Sequence, residues 1–147
     1  MKRPGVGLAV ILMKNHEVLV GKRKGSHGAG KLSFPGGHLE SNETFYDCVV
    51  RELYEETGLD YQNYNMVSEH PCALTNDILN KDNKHYVTLF MGAKYRYGDI
   101  ENKEPKKCEG WEWMDWDELV YETKGKVFLP IKNLIKQGYD PFNGLNK

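Results

Sequence analysis

The chain has 147 residues, 39% apolar and 28% charged, the proportions of a globular domain long enough to bury a core. Its formal net charge of -1 offers no basic footprint for wrapping DNA or RNA, which argues against long nucleic acid as a partner. No stretch approaches the ~20 apolar residues of a membrane span.

Lys2-Arg3 followed by GVGLAVILM has the look of a leader, but Gly5 and Gly7 interrupt the run and Lys14 ends it. The stretch reads instead as a first strand. Val6, Leu8, Val10 and Leu12 alternate with Gly7, Ala9, Ile11 and Met13, so both faces are apolar and the strand is central in a sheet. Asn15-His16 is a turn signal, and EVLVGKR reads as the returning strand. KGSHGAGK is a basic, glycine-rich loop. It fails as a phosphate-binding P-loop, because Leu32 stands where a Ser or Thr should hold magnesium and Pro35-Gly36-Gly37 blocks a following helix. Its lysines, and Arg23 just before it, remain available to phosphate.

LSF is a short strand ending at Pro35. From Thr44 the period becomes helical: Phe45, Tyr46, Val49 and Leu53 fall within an arc of about 100°, with Gly58 just past the helix end. Glu52, Glu55 and Glu56 occupy another arc, mostly off that stripe, so the helix is expected to dock by one face and present acids on the other. KHYVTLFMGAKYRY is strand-like, GDIENKEPKKCEG a charged loop, and WEWMDW a strand leading into a helix start at DWDEL. FLPIKNLIKQG is a last helix, with Pro130 near its start and Gly138 beyond its end. Strands interleaved with helices, without repeats or linkers, predict one α/β domain over residues 1–147, a mixed sheet between helices. Three cysteines, Cys48, Cys72 and Cys108, lack metal-type spacing and suit reduced thiols in the cytoplasm.

Acids at 52, 55 and 56 repel one another and sit at the negative end of the helix dipole. An acidic run alone marks no more than a solvated helix face, but this one has a frame. Gly37 stands six residues before Glu43, which stands eight before Arg51-Glu52-Leu53, followed by Glu55-Glu56 and Gly58-Leu59. Nine constrained positions arise by chance on the order of once in 10⁷ chains. Carboxylates at i, i+3 and i+4 can gather hard Mg²⁺ or Mn²⁺, which favour oxygen ligands shared with substrate phosphates. The cation would remove the repulsion. Arg51 can fork to Glu43 or Glu52, Gly36 and Gly37 permit close backbone approach, and Glu43 also suits a helix N-terminus.

GHLESNETFYDCVVRELYEETGL, from Gly37 to Leu59, resembles the Nudix hydrolase signature at every fixed position. RPGVG, GKRKGS, PGGHLE, HYVT, CEGWEW and QGYDPF extend the likeness to the small nucleotide triphosphate diphosphatases of that family. The resemblance implies an α/β/α sandwich and Mg²⁺-dependent hydrolysis of a nucleoside triphosphate to monophosphate and pyrophosphate. It implies catalytic Glu52, Glu55, Glu56 and Arg51, with Glu52 the favoured general base. It also implies metal ligands Glu52, Glu55, Glu56 and a residue outside the helix, for which Glu109 is chosen, with the Gly36 backbone nearby and Glu40 as a further acid. Lys106 departs from an acid common in related sequences. Phe34, Gly37, His38, Trp111 and Arg23 are the candidates for substrate contact, and Gly37, Glu43 and Gly58 for shaping the motif. Trp111 and Trp113 share one strand face, so at least one belongs to the core. His85 and Tyr86 read as strand packing. A homodimer is implied as well. The same signature also serves dinucleotides, nucleotide sugars, capped RNA and prenyl diphosphates, or a non-catalytic nucleotide-binding module, which a lost box glutamate would mark; none is lost.

Overall fold

The chain's most apolar strand organises the structure. In the computed structural model, which describes residues 3–25, 27–123 and 125–143, that strand is β1 (Gly5–Lys14). Turning at Asn15, whose φ of 55° suits an asparagine, the chain returns antiparallel as β2 (Glu17–Arg23), with Met13 opposite Val18. β3 (Leu32–Ser33) pairs with β2, and β4 (Gly36–His38) pairs antiparallel with β1. The long β7 (Lys84–Tyr95) lies parallel to β1 on its other side, in register from Gly5↔Tyr86 to Met13↔Lys94. β5 (Tyr64–Met66) and β6 (Ala73–Leu79) pair with β7, and β8 (Cys108–Asp115) with β2, completing a mixed eight-stranded sheet.

Both faces are covered, as expected for strands apolar on both sides. Leu8, Val10 and Leu12 meet Cys48, Val49 and Leu53 of helix α1 (Phe45–Thr57). Ile11 and Met13 meet Trp116 and Leu119 of α2 (Trp116–Tyr121) and Ile131 and Leu134 of α3 (Leu129–Lys136). The α/β/α layering anticipated above is therefore present. No helix among the described residues is long and apolar enough to cross a membrane.

Local chemistry sets the ends of α1. The Thr44 hydroxyl accepts from the Asp47 amide at 3.0 Å while the Asp47 carboxylate accepts from the Thr44 amide, a capping box. Gly58, at φ 79°, donates to the Tyr54 carbonyl and closes the helix in a left-handed turn. The docking face differs from the sequence expectation. Tyr46 is exposed, whereas Cys48 and Thr57 join Val49 and Leu53 in the buried face. That rotation carries Glu52 and Glu56 inward, and of the three glutamates only Glu55 points to solvent.

A second difference lies in β8, which begins at Cys108 and not at Trp111, so Glu109 belongs to a strand. The register to β2 shifts between Gly21 and Arg23, and Gly110 opposite takes φ 143°, a bulge conformation that favours glycine.

Candidate functional site

The last two turns of α1 lie over β4, and the two glycines of β4 make that approach possible. A Cβ on Gly37 would stand 2.4 Å from the Glu52 Oε1, so the Glu52 carboxyl fills the space a side chain would need. A Cβ on Gly36 would stand 2.0 Å from the Leu8 carbonyl oxygen. Without one, the Gly36 N–H donates to the Glu56 Oε2 at 2.7 Å.

Arg51 gathers the remaining acids. Its Nε and Nη2 donate to the two oxygens of Glu43 at 2.7 and 3.0 Å, a bidentate fork. Nη1 donates to Glu52 at 2.7 Å and to Glu55 at 3.1 Å, and Nη2 also donates to the His38 carbonyl at 2.9 Å. Glu40 stands 3.6 Å from Nη1. The sequence left Glu43 and Glu52 as alternatives for Arg51, and the guanidinium serves both.

Electrostatics separate these carboxyls. The Arg51 hydrogen bond holds Glu43 down at about 2. Burial pushes Glu56 up to about 8, against the pull of its bond from the Gly36 amide, with Glu52 and Glu104 adding repulsion. Burial also raises Glu52, although Arg51 opposes it. Two inward carboxyls with raised pKa values, Glu52 bonded to Arg51 and Glu56 to the Gly36 amide, form an acidic pair that a divalent cation would stabilise.

All of these groups except Glu43 line one cleft of about 630 Å³. Arg23 enters it with its guanidinium 3.9 Å above the Phe128 ring; desolvation lowers its pKa, and the Glu56 charge works the other way. Gly36, Gly37, His38, Phe34 and Trp111 line the same cleft. Phe34 is only 6% exposed and meets Phe90 edge-on, so it serves the core more than a stacking face. The His38 ring lies 5.2 Å from the Tyr86 ring. Trp111 donates its indole N–H to the Glu56 carbonyl at 3.2 Å, while Trp113 packs beside Tyr95 and Lys14 on the core side.

Glu109 is not brought to the site. It is exposed on β8, because the bulge at Gly110 puts Cys108 and Trp111, three residues apart, on the cleft wall and leaves Glu109 outside. Among the acids outside the helix that line the cleft, Glu104 acts on both Glu52 and Glu56. No period marks it in ENKEPKKCEG, where acids and lysines crowd together. The sequence reading also took Tyr86 for packing alone, and it did not single out Thr88, Asp77 or Ile131, which line the cleft too. A polar Thr-x-Asp at inward positions of an edge strand was the available signal for Asp77.

The glutamates do not yet meet at one point. Glu52 and Glu55 share Arg51, and Glu56 holds the Gly36 amide. Among the described residues, the group of three acid or His ligands already within 4.8 Å of one another is His16, Asp115 and Asp117, at the β1–β2 turn and the start of α2, outside the cleft. Even so, an all-oxygen donor set with a half-buried, repelling pair fits a hard divalent ion shared with a phosphate ligand.

A family profile described as NUDIX domain matches residues 1–135. Over 67 residues the chain is 39% identical to the 8-oxo-dGTP diphosphatase of Escherichia coli (strain K12), covering 45% of this chain and 52% of that one. It is 30% identical over 129 residues to the RNA pyrophosphohydrolase of Histophilus somni (strain 2336), covering 78% of this chain and 64% of the other. Each match therefore spans less than two thirds of the relative's length. In fold, it is similar to the MutT protein from Methanosarcina mazei Go1, with a TM-score of 0.76, 100% and 99% coverage and 19% identity.

Proposed function

The chain belongs to the NUDIX domain family, and on that premise we propose that it is a divalent-metal-dependent hydrolase of phosphoanhydride bonds. Its substrate is a nucleoside triphosphate, cleaved to nucleoside monophosphate and pyrophosphate by one domain over residues 1–147. The observation that carries the reading is the inward pair Glu52 and Glu56, seated on the side-chain-free Gly36-Gly37 floor at one end of a cleft of about 630 Å³. That volume suits a small molecule and not a polymer.

Glu52, Glu55 and Glu56 would hold Mg²⁺ or Mn²⁺, with Glu104 as the acid from outside the helix. The ion would supply phosphate charge neutralisation and a water of lowered pKa. Glu52, aimed by the 2.7 Å bond from Arg51, accepts the proton of the attacking water. Glu56, anchored by the Gly36 amide, keeps its oxygens turned toward the cleft. Arg51 orients both Glu52 and Glu55 while Glu43 pins Arg51, so the acids are positioned before substrate arrives. Arg23, flattened on Phe128, provides a desolvated cation for the phosphate chain. The free thiols Cys48, Cys72 and Cys108 are in keeping with work in the cytoplasm.

The test is a hydrolysis screen with Mg²⁺ over normal and modified (d)NTPs, with dinucleotides, nucleotide sugars, capped RNA and a prenyl diphosphate as competing classes. Pyrophosphate released together with a nucleoside monophosphate supports the reading. Turnover confined to another class replaces the substrate, and nucleotide that binds with Mg²⁺ yet is never cleaved removes the enzyme reading.

A further inference from the structure

Edge strand β6 turns two polar residues inward, Thr75 and Asp77, at 1% and 0% exposure. The Asp77 Oδ2 accepts from the Thr75 hydroxyl at 2.9 Å and from the Thr88 hydroxyl of β7 at 2.5 Å. Its Oδ1 accepts from the Asn133 side-chain amide of α3 at 2.8 Å. That amide also leans toward the Asn76 carbonyl at 3.4 Å, so its N–H groups face the acceptors. Burying a carboxylate on neutral donors alone is costly and is retained where it serves something.

Of the four side chains in this network, Asp77 and Thr88 line the cleft wall, Asp77 fully buried and Thr88 buried but for 6%. A threonine has one hydroxyl proton, and here Asp77 holds it. What Oγ1 has left is lone pairs, so the wall offers an acceptor at this point and no donor.

Position in the sheet gives this acceptor a partner. Gly7 of β1 pairs with His38 of β4 on one side and Thr88 of β7 on the other. Thr88 therefore sits two strand spacings, about 10 Å, from the strand that carries the carboxylate floor. That is the reach from the phosphate chain to the base of an extended nucleotide. Gly7 leaves the path open, for a Cβ there would already touch the Thr88 Oγ1 at 3.6 Å.

We propose that Thr88, its proton committed to Asp77, reads an N–H on the base edge of the substrate. The class selected is a lactam base such as guanine, hypoxanthine or uracil, over one that presents a ring lone pair at the same place. Asp77 is the positioning residue and Asn133 holds it. The inference rests on the nucleotide reading above and specifies the far end of its cleft. A lone pair facing Oγ1 would leave two acceptors opposed, a loss of about tenfold or more in kcat/KM.

The experiment compares inosine triphosphate, with N1–H, and purine riboside triphosphate, with a bare N1, by pyrophosphate release with Mg²⁺. Wild type is expected to favour the first about tenfold or more. Thr88→Val and Thr88→Ala should shrink that preference to within about threefold, Asp77→Asn should lower it, and Thr88→Ser, which keeps the hydroxyl, should retain it. A merely structural role would lower both substrates together and leave their ratio alone. A wild type without preference, or a preference unchanged in Thr88→Val, overturns the inference and leaves the nucleotide reading standing. Absence of turnover on every nucleoside triphosphate overturns both.

Discussion

Replacing Arg51 by methionine keeps most of the aliphatic stem and removes the one cation among four acids. Its side chain is 27% exposed, against 11% for Glu43 and 13% for Glu52. Those two arms are semi-buried and charge-assisted, while the arm to Glu55, 44% exposed, contributes at the surface rate of under about 1 kcal/mol. Stripping one partner from a buried pair costs about 3–5 kcal/mol; with this much solvent, about 3 kcal/mol is the working figure. In a chain of this length that lowers Tm by about 6–12 °C. The pH dependence has a definite sign. Glu43 is ordinarily near 4.5 and is held at about 2 in the fold by Arg51, so its contribution is present above 4.5 and lost as pH falls toward 2. Urea unfolding of both proteins at pH 7 and pH 3 should show the full deficit at the first and a smaller one at the second. A deficit below about 1 kcal/mol at pH 7, or an equal deficit at both pH values, would refute the account of Arg51 as the keystone of this cluster.

Glu55→Gln and Glu56→Gln should each lower kcat by about 10²-fold or more with Tm changed little; unchanged pyrophosphate release in both would remove these residues from the chemistry. Mg²⁺ or Mn²⁺ at about 100 times its Kd should add about 2.7 kcal/mol of stability, read as a rise in Tm that Glu52→Gln diminishes; calorimetry showing no rise leaves the inward acids without their cation. Gly37→Ala should cut turnover by displacing the Glu52 carboxyl while the protein stays folded. Gly36→Ala, which drives a Cβ against the Leu8 backbone carbonyl, should instead cost about 2–3 kcal/mol of stability in denaturant titration. Glu104→Gln should weaken Mg²⁺ dependence of turnover and Glu109→Gln should not, and the reverse result would reinstate Glu109 as the ligand from outside the helix.

Much of the chain was legible without coordinates because its signals are local. The helical period sets in from Thr44, Gly58 ends α1, and the two-faced apolar alternation of Val6–Met13 makes β1 central; each depends on residues within a few positions of one another. The kinds of residue at the site were legible too, since the spacing of Glu52, Glu55 and Glu56 depends on one helix. Their direction was not. Whether that helix shows its acids to water or to the sheet depends on what faces it, and Gly36-Gly37, in a strand earlier in the chain, leave the room that draws Glu52 and Glu56 inward. The preference for Glu104 over Glu109 likewise rests on a bulge, which exists only once β8 is paired with β2. Asp77 needed three elements, β6, β7 and α3, to acquire its partners. Periodicity within a segment tells which of its faces is apolar, and register between distant segments decides what each face meets.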